Sequence, residues 1–168
     1  MNYGDLGIKR SAVMCILKSK DNYLLLKRAK EPFVGKYIPV GGKVDPFEAI
    51  DDAARREVYE EVGVKVKDVK LCGIMVETSP AKVNYVNFIY TIEADYFVPQ
   101  ECDEGILEWV NVKNLSTVPT PTTDAFIYKY VANNYFFVLD AIYDDKIELQ
   151  TLKDRIKDEV IYLRGYHG

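Results

Sequence analysis

The sequence predicts a single α/β domain, and three observations carry that prediction. Strand-like apolar runs recur along the chain, a helical segment with its own start and stop signals follows the first hairpin, and a final pair of strand-like runs lies near the end. At 168 residues and 48% hydrophobic content, the chain is the size of one domain and large enough to bury a real core. No internal repeat, low-complexity segment or linker divides it, so one domain over residues 1–168 is expected.

Residues 11–17 and 23–27 read as a hairpin around Lys20-Asp21-Asn22, followed by a loop over 32–37. The next segment reads as a helix over 46–62, with Asp45 as N-cap, Pro46 in the first helical position and Glu48 three residues beyond the cap. Gly63 supplies its stop, because glycine takes the left-handed conformation past a helix end at little steric cost. Ala54, Val58 and Val62 recur at four-residue spacing and form an apolar stripe that can pack on a sheet. Strands are expected near 64–77, 83–96 and 107–110, with a loop over 99–104 and another punctuated by Pro119 and Pro121. Residues 124–131 look helical, 136–143 and 147–151 read as a hairpin around Asp144-Asp145-Lys146, and 152–162 suggest a short terminal helix.

A formal net charge of -4 argues against general nucleic-acid binding, which relies on basic surface to meet phosphates. It leaves a nucleotide substrate open, since metal ions neutralise phosphate within an acidic site. The apolar runs 12–17 and 135–139 are too short to cross a bilayer, so no membrane partner is expected. The first residues lack the basic start of a secretory signal, and Cys15, Cys72 and Cys102 are widely spaced without a metal-site pattern. A reducing cytoplasm is the expected location. His167 is the sole histidine and lies beside the last residue, where a mobile tail group is expected. Serine or cysteine nucleophiles paired with histidine are therefore poor candidates.

The chemistry concentrates in residues 41–64. Glu57, Glu60 and Glu61 stand at i, i+3 and i+4, which projects three carboxylates from nearly one helix face. Alone, such a run reads as a solvated acidic surface. Gly41-Gly42 lies just before the helix and lets bare backbone approach an anion or offer a carbonyl to a metal. Arg56 adjoins Glu57, where it can neutralise or orient that carboxylate. Like charges so close favour a cation among them, and hard divalent ions such as magnesium prefer oxygen ligands.

The full pattern is Gly42, five residues, Glu48, seven residues, Arg56-Glu57-Val58, one residue, Glu60-Glu61, one residue, Gly63-Val64. With it, the chain resembles the Nudix hydrolases. The resemblance implies a mixed β-sheet sandwiched between α-helices, with the box forming a loop-helix-loop that binds metal and a diphosphate. It implies that Glu57, Glu60, Glu61 and the Gly41 carbonyl are ligands of two or three magnesium ions, with manganese as the alternative. Arg56 would brace Glu57, and Glu48 would hold the loop-helix geometry. A further glutamate in a loop before a late strand often serves as ligand or base. Glu104 is the best match, with Glu101 and Asp103 as close competitors.

The Gly41-Gly42-Lys43-Val44 start and the Ala54-Arg55-Arg56-Glu57 centre of the box, together with the C-terminal β-hairpin, are similar to MutT-like members that remove oxidised purine nucleotides. Phe47 stands where many members have glycine, and Ile38 where oxidised-purine enzymes often have a base-reading asparagine. Pro80, sixteen residues beyond Val64, resembles a marker of ADP-ribose hydrolases, or forms an ordinary turn. Gly41, Gly42, Lys43 and Tyr37 are candidate substrate contacts. Phe33, Asn84, Trp109, Asp124 and Phe126 are further candidates for holding a base, the aromatics having core packing as their alternative. Asp124 has helix N-capping as its other reading. The implied reaction is metal-dependent hydrolysis of a nucleoside diphosphate linked to another group, most simply 8-oxo-dGTP or another purine triphosphate to monophosphate and pyrophosphate. ADP-ribose or another nucleoside diphosphate-X compound is the alternative substrate. A nucleotide-sensing binding protein is the alternative class, although the residues after Val112 are too few for the added DNA-binding domain of such relatives. The family also allows a homodimer.

Overall fold

The computed structural model describes residues 7–166, so His167 lies outside the described residues. In chain order these form β1 (Ile8–Ser19), β2 (Asn22–Arg28), β3 (Tyr37–Ile38), β4 (Val40–Lys43), α1 (Ile50–Val62), β5 (Lys70–Thr78), β6 (Val83–Glu93) and β7 (Gly105–Asn111). A short 3-10 turn (Val112–Asn114) leads to α2 (Thr122–Ala132), β8 (Phe137–Tyr143), β9 (Leu149–Asp154) and β10 (Glu159–Leu163).

The strands join into one mixed sheet in the order β10-β9-β8-β5-β6-β1-β2-β3, with β4 also paired to β1 and β7 to β2. The β1–β6 and β5–β8 pairs are parallel, and the hairpins are antiparallel. Strand alternation directs side chains to two cores. Val13, Cys15 and Leu17 of β1 join Leu24 and Leu26 of β2 against Ala53, Ala54, Val58 and Val62 of α1. Ile16, Tyr23 and Leu25 point the other way, into a cluster with Ile127, Tyr128 and Val131 of α2. The sheet is thus sandwiched between the two helices. Among the described residues, no helix is long and apolar enough to cross a membrane.

The first hairpin, both helices and the final β8–β9 hairpin follow the sequence expectation, with shifted ends. Helix α1 starts at Ile50 rather than residue 46, and its cap position is Ala49, which makes no side-chain capping bond. Asp45 and Pro46 instead belong to a turn in which Glu48 N–H donates to Asp45 O at 3.2 Å and Asp45 N–H donates to Glu48 Oε2 at 3.0 Å. The Glu48 side chain is engaged by Arg56, which holds this turn open and delays the helix. Gly63 does end α1, in the left-handed region with φ 78°. Residues 64–69, expected as strand, form a loop before β5, and β6 stops at Glu93.

The expected terminal helix over 152–162 is the β9–β10 hairpin. Asp154 causes the reversal, because its Oδ1 accepts the N–H groups of Ile156 (2.9 Å) and Lys157 (3.1 Å), and the Tyr130 hydroxyl donates to its Oδ2. The following Val160-Ile161-Tyr162 run suits a strand. Asp124 is not an N-cap either. It lies inside the first turn of α2, whose cap position is Pro121.

Phe47 has φ 67° and a fully exposed side chain. A left-handed conformation costs an L-residue roughly 1–2 kcal/mol, and no packing offsets it here. Replacing Phe47 with glycine is expected to stabilise the protein by up to about 1 kcal/mol, read as a higher urea midpoint. A lower midpoint would show that Phe47 contributes a stabilising contact.

Candidate active site

The site begins at β4, which runs antiparallel to β1 with Gly41 opposite Met14 and Gly42 opposite Val13. Gly41 has φ 152°, and a Cβ there would lie 2.0 Å from the Val13 carbonyl oxygen. A Cβ on Gly42 would lie 2.5 Å from Glu57 Oε1. The pair of glycines therefore does two things: it admits a strand conformation closed to larger residues, and it lets a helix carboxylate press on bare backbone. Glu61, one turn further along α1, reaches the same strand, where its Oε2 accepts the Gly41 N–H at 3.3 Å.

Arg56 ties the loop to the helix. Its Nε and Nη2 donate to the two Glu48 carboxylate oxygens at 2.8 and 3.0 Å, and Nη2 also donates to Lys43 O at 2.9 Å. Nη1 donates to Glu57 Oε1 at 2.8 Å and to Glu60 Oε2 at 3.2 Å. The planar guanidinium suits such a bidentate and branching role, which the point charge of lysine does not reproduce. The bond from Arg56 holds the Glu48 carboxyl below its ordinary value. Burial pushes Glu57 up, with the Arg56 bond and charge opposing. Burial pushes Glu61 up to about 7, against the Gly41 N–H bond, and the charges of Glu57 and Glu104 add to the rise.

Glu104 is the acid of its loop that joins the site. Its Oε2 accepts from Arg28 Nη1 at 2.9 Å, while Glu101 and Asp103 are exposed. Arg28 was not singled out in the sequence. It ends β2 and also donates to the carbonyls of Lys30 (3.0 Å) and Glu31 (3.2 Å), so it binds the following loop to Glu104. Its charge acts on Glu61 as well, lowering it. The Lys27-Arg28 pair after the apolar Leu24-Leu25-Leu26 run was the available signal, and basic residues are common at strand ends.

Among the described residues, no three carboxylate, histidine or cysteine side chains converge closely enough to hold a metal as they stand. The bonds just described explain this: Arg56 draws Glu57 and Glu60 to itself, and the Gly41 N–H draws Glu61 away. The donor set nevertheless fits a hard divalent ion. It is all oxygen, it carries mutually repelling buried carboxylates, and the exposed Glu60 turns at little cost.

The base-holding candidates scatter. Tyr37 is buried and its hydroxyl donates to Glu108 Oε2 at 2.7 Å. Asn84 is buried and bonds Ser79. Trp109 donates Nε1–H to Phe97 O at 2.8 Å, and Phe126 packs on Tyr162. Tyr37, Trp109 and Phe126 pack in or against the two cores, and Asn84 is held by Ser79. Lys43 is exposed at the box loop, and Ile38 is half-buried beside the α1 core. Phe33 is 42% exposed on the loop after Arg28. Asp124 is buried, meets Thr123 Oγ1 at 3.3 Å and is pushed up to about 7 by burial, with Glu77 adding to the rise.

This architecture, with a helix of carboxylates clamped by one arginine against a glycine strand, defines a Nudix-type domain. The NUDIX domain family matches residues 8–133, and the chain belongs to that family. It is 27% identical over 122 residues to the uncharacterized Nudix hydrolase YvcI of Bacillus subtilis (strain 168), covering 70% of this chain and 75% of that one. It is 34% identical over 84 residues to the mouse diphosphoinositol polyphosphate phosphohydrolase 3-alpha, covering 50% of this chain and about half (51%) of that one. Its fold is that of the mutator MutT protein from Bacillus halodurans, with TM-score 0.78 and 24% identity over 88% of this chain and 98% of the other. The family and these relatives make the chain a pyrophosphohydrolase-class enzyme.

Glu61 gives the metal-free protein a defined pH response. Its ordinary value is 4.5 and its folded value about 7, so between these the folded state holds a proton that the unfolded state has lost. Stability is therefore expected to fall as pH rises from 4.5 to about 7 and to level off above. Urea midpoints in chelator across this range should show that decline, and Glu61→Gln should make it shallower. An equal slope in the variant would mean that Glu61 does not carry the proton.

Proposed function

We propose that the protein hydrolyses a nucleoside diphosphate linked to another group, with a purine nucleoside triphosphate such as 8-oxo-dGTP as substrate and the monophosphate and pyrophosphate as products. The observation that supports this reading best is the seating of Glu57 and Glu61 against Gly41-Gly42 while Arg56 locks the loop above them. Such an arrangement concentrates negative charge at one end of a helix, beside backbone that a diphosphate can approach.

Glu57, Glu60, Glu61 and the Gly41 carbonyl would hold magnesium or manganese, with Glu104 at the margin. Bound there, the ions offset phosphate charge and lower the pKa of coordinated water. The chain's own part is positional. Arg56 fixes Glu57 and the Lys43–Glu48 loop, and Arg28 holds Glu104 toward Glu61. Water attacks phosphorus, the bond to the leaving phosphate oxygen breaks, and the water's proton passes to a carboxylate, Glu104 or one of the box glutamates. Gly41, Gly42 and Lys43 contact the diphosphate, and the Asp124 end of α2 faces the base. ADP-ribose or another nucleoside diphosphate-X compound is the alternative substrate.

Product release is to be measured with magnesium across 8-oxo-dGTP, the four dNTPs, ADP-ribose, dinucleoside polyphosphates and nucleotide sugars. The expected result is hydrolysis that chelator abolishes, with 8-oxo-dGTP preferred. Glu60→Gln should lower kcat by roughly 100-fold or more, as loss of a metal-activating group does, with an unchanged melting temperature. Near-full activity in that variant would remove Glu60 from the metal set. Preference for ADP-ribose would replace the triphosphate reading.

A further inference from the structure

The β5–β6 ladder opens into a fork. Its last pair is Lys70 with Thr91. Beyond that pair the two arms part, because each is held elsewhere: Ala94 N–H donates to Lys18 O of β1 at 2.9 Å, and Lys67 O accepts from Arg55 Nε of α1 at 2.9 Å. Between the arms lies a concavity of about 590 Å³, lined by residues 64–70 on one side and by Thr91 and residues 93–97 on the other. None of the carboxylates, glycines or arginines of the candidate active site lines it.

The first arm has the sequence of a strand without the pairing of one. In Val64-Lys65-Val66-Lys67-Asp68-Val69 the three valines pack against the α1 core while Lys65 and Lys67 are exposed, much as in a half-buried strand. Yet among the described residues no backbone–backbone hydrogen bond reaches residues 64–69, nor residues 95–98 on the facing arm, where Tyr96 and Val98 stand exposed. Unpaired extended backbone of this kind is a template for an added strand. Side-chain charge decides which strand it accepts. Among the described residues, Lys65, Lys67 and Lys70 enter no ion pair, and Lys65 lies over the Tyr59 ring at 5.6 Å. Against these lysines the same arm sets only Asp68, and of the acids on the facing arm Glu93 is matched by Lys18 at 3.2 Å, which leaves Asp95. A second copy of the arm would bring the same lysines together, and like charges on opposed strands repel.

We propose that the fork is a docking site for an extended peptide segment of a partner protein, in which acidic residues alternate with apolar ones. The segment adds as a strand to the 64–69 arm, with its apolar side chains beside Val64 and Val66 and its carboxylates beside Lys65 and Lys67. Successive residues of a strand point to opposite faces, so an alternating sequence meets both rows at once. Main-chain bonds supply the affinity and the lysine row selects the sequence, each opposite-charge pair adding to the preference. The assignment accounts for a strand-like sequence that folds as a loop when the chain is alone.

Fluorescence anisotropy tests it with a fluorescein-labelled, C-terminally amidated octapeptide of alternating glutamate and valine. The wild-type protein should bind this peptide saturably, and the double variant Lys65→Glu, Lys67→Glu should bind it tenfold or more weakly at an unchanged melting temperature. Two further peptides, N-methylated at one or the other set of alternate amides, separate strand addition from charge attraction, because each lacks the donors of one edge. At least one of them should lose tenfold or more with the wild-type protein, an arm of the test that needs no variant to fold. Absence of saturable binding overturns the proposal. So does equal binding of a lysine–valine octapeptide, equal binding by the folded double variant, or unaltered binding of both N-methylated peptides. No outcome depends on hydrolysis of a nucleotide.

Discussion

The constraint on which the rest of the site depends is the contact between a helix carboxylate and a stretch of strand with no side chains. Glu57 occupies the space that a Cβ on Gly42 would fill, and Gly41 cannot take a side chain without striking Val13. Helix α1 approaches the sheet closely at that point, and its apolar face of Ala53, Ala54, Val58 and Val62 packs it there. Packing and chemistry are therefore coupled. The hydrophobic stripe supplies the force that brings like charges together, and the glycines supply the room.

Arg56 makes that arrangement tolerable. A buried carboxylate without a partner is costly, whereas one bonded to a guanidinium is offset by a charge-assisted bond of about 1.5–3 kcal/mol. Arg56 spreads this over Glu48, Glu57, Glu60 and the Lys43 carbonyl. Glu61 has no such partner, which is why burial leaves it the more perturbed acid. Carboxylates held in this way are near one another, but each is satisfied by protein through Arg56 or the Gly41 N–H.

Two loops converge on this centre from opposite directions. The Lys43–Glu48 turn comes with the helix, and residues 29–36 come with Arg28 and Glu104. The second loop continues into one wall of a concavity at the start of α2, whose other wall comes from Tyr143, Tyr162 and Arg164. The carboxylate helix and this concavity thus lie in different segments, joined through backbone bonds at Arg28 and Tyr37.

The sequence by itself determined the box and the grouping of Glu57, Glu60 and Glu61, because these follow from local spacing: i, i+3 and i+4 positions share a helix face whatever the context, and the sandwiched sheet was legible only through the resemblance that the box carries. It also determined the end of α1, since Gly63 carries its own conformational signal. The start of α1 was decided by tertiary structure, because the Arg56–Glu48 bond competes with capping at Asp45. So was the fate of residues 152–162, where the Asp154 side chain turns the chain and β8 offers β9 a neighbouring strand. Arg28, 76 residues away in the chain, is what bonds Glu104 while Glu101 and Asp103 stay exposed. Tyr37 and Trp109 became core groups because their polar atoms found partners in Glu108 and Phe97. Interactions between distant segments leave no periodic trace in a single sequence, and those are the ones that assembled the loop, the arginine and the cavity around the legible helix.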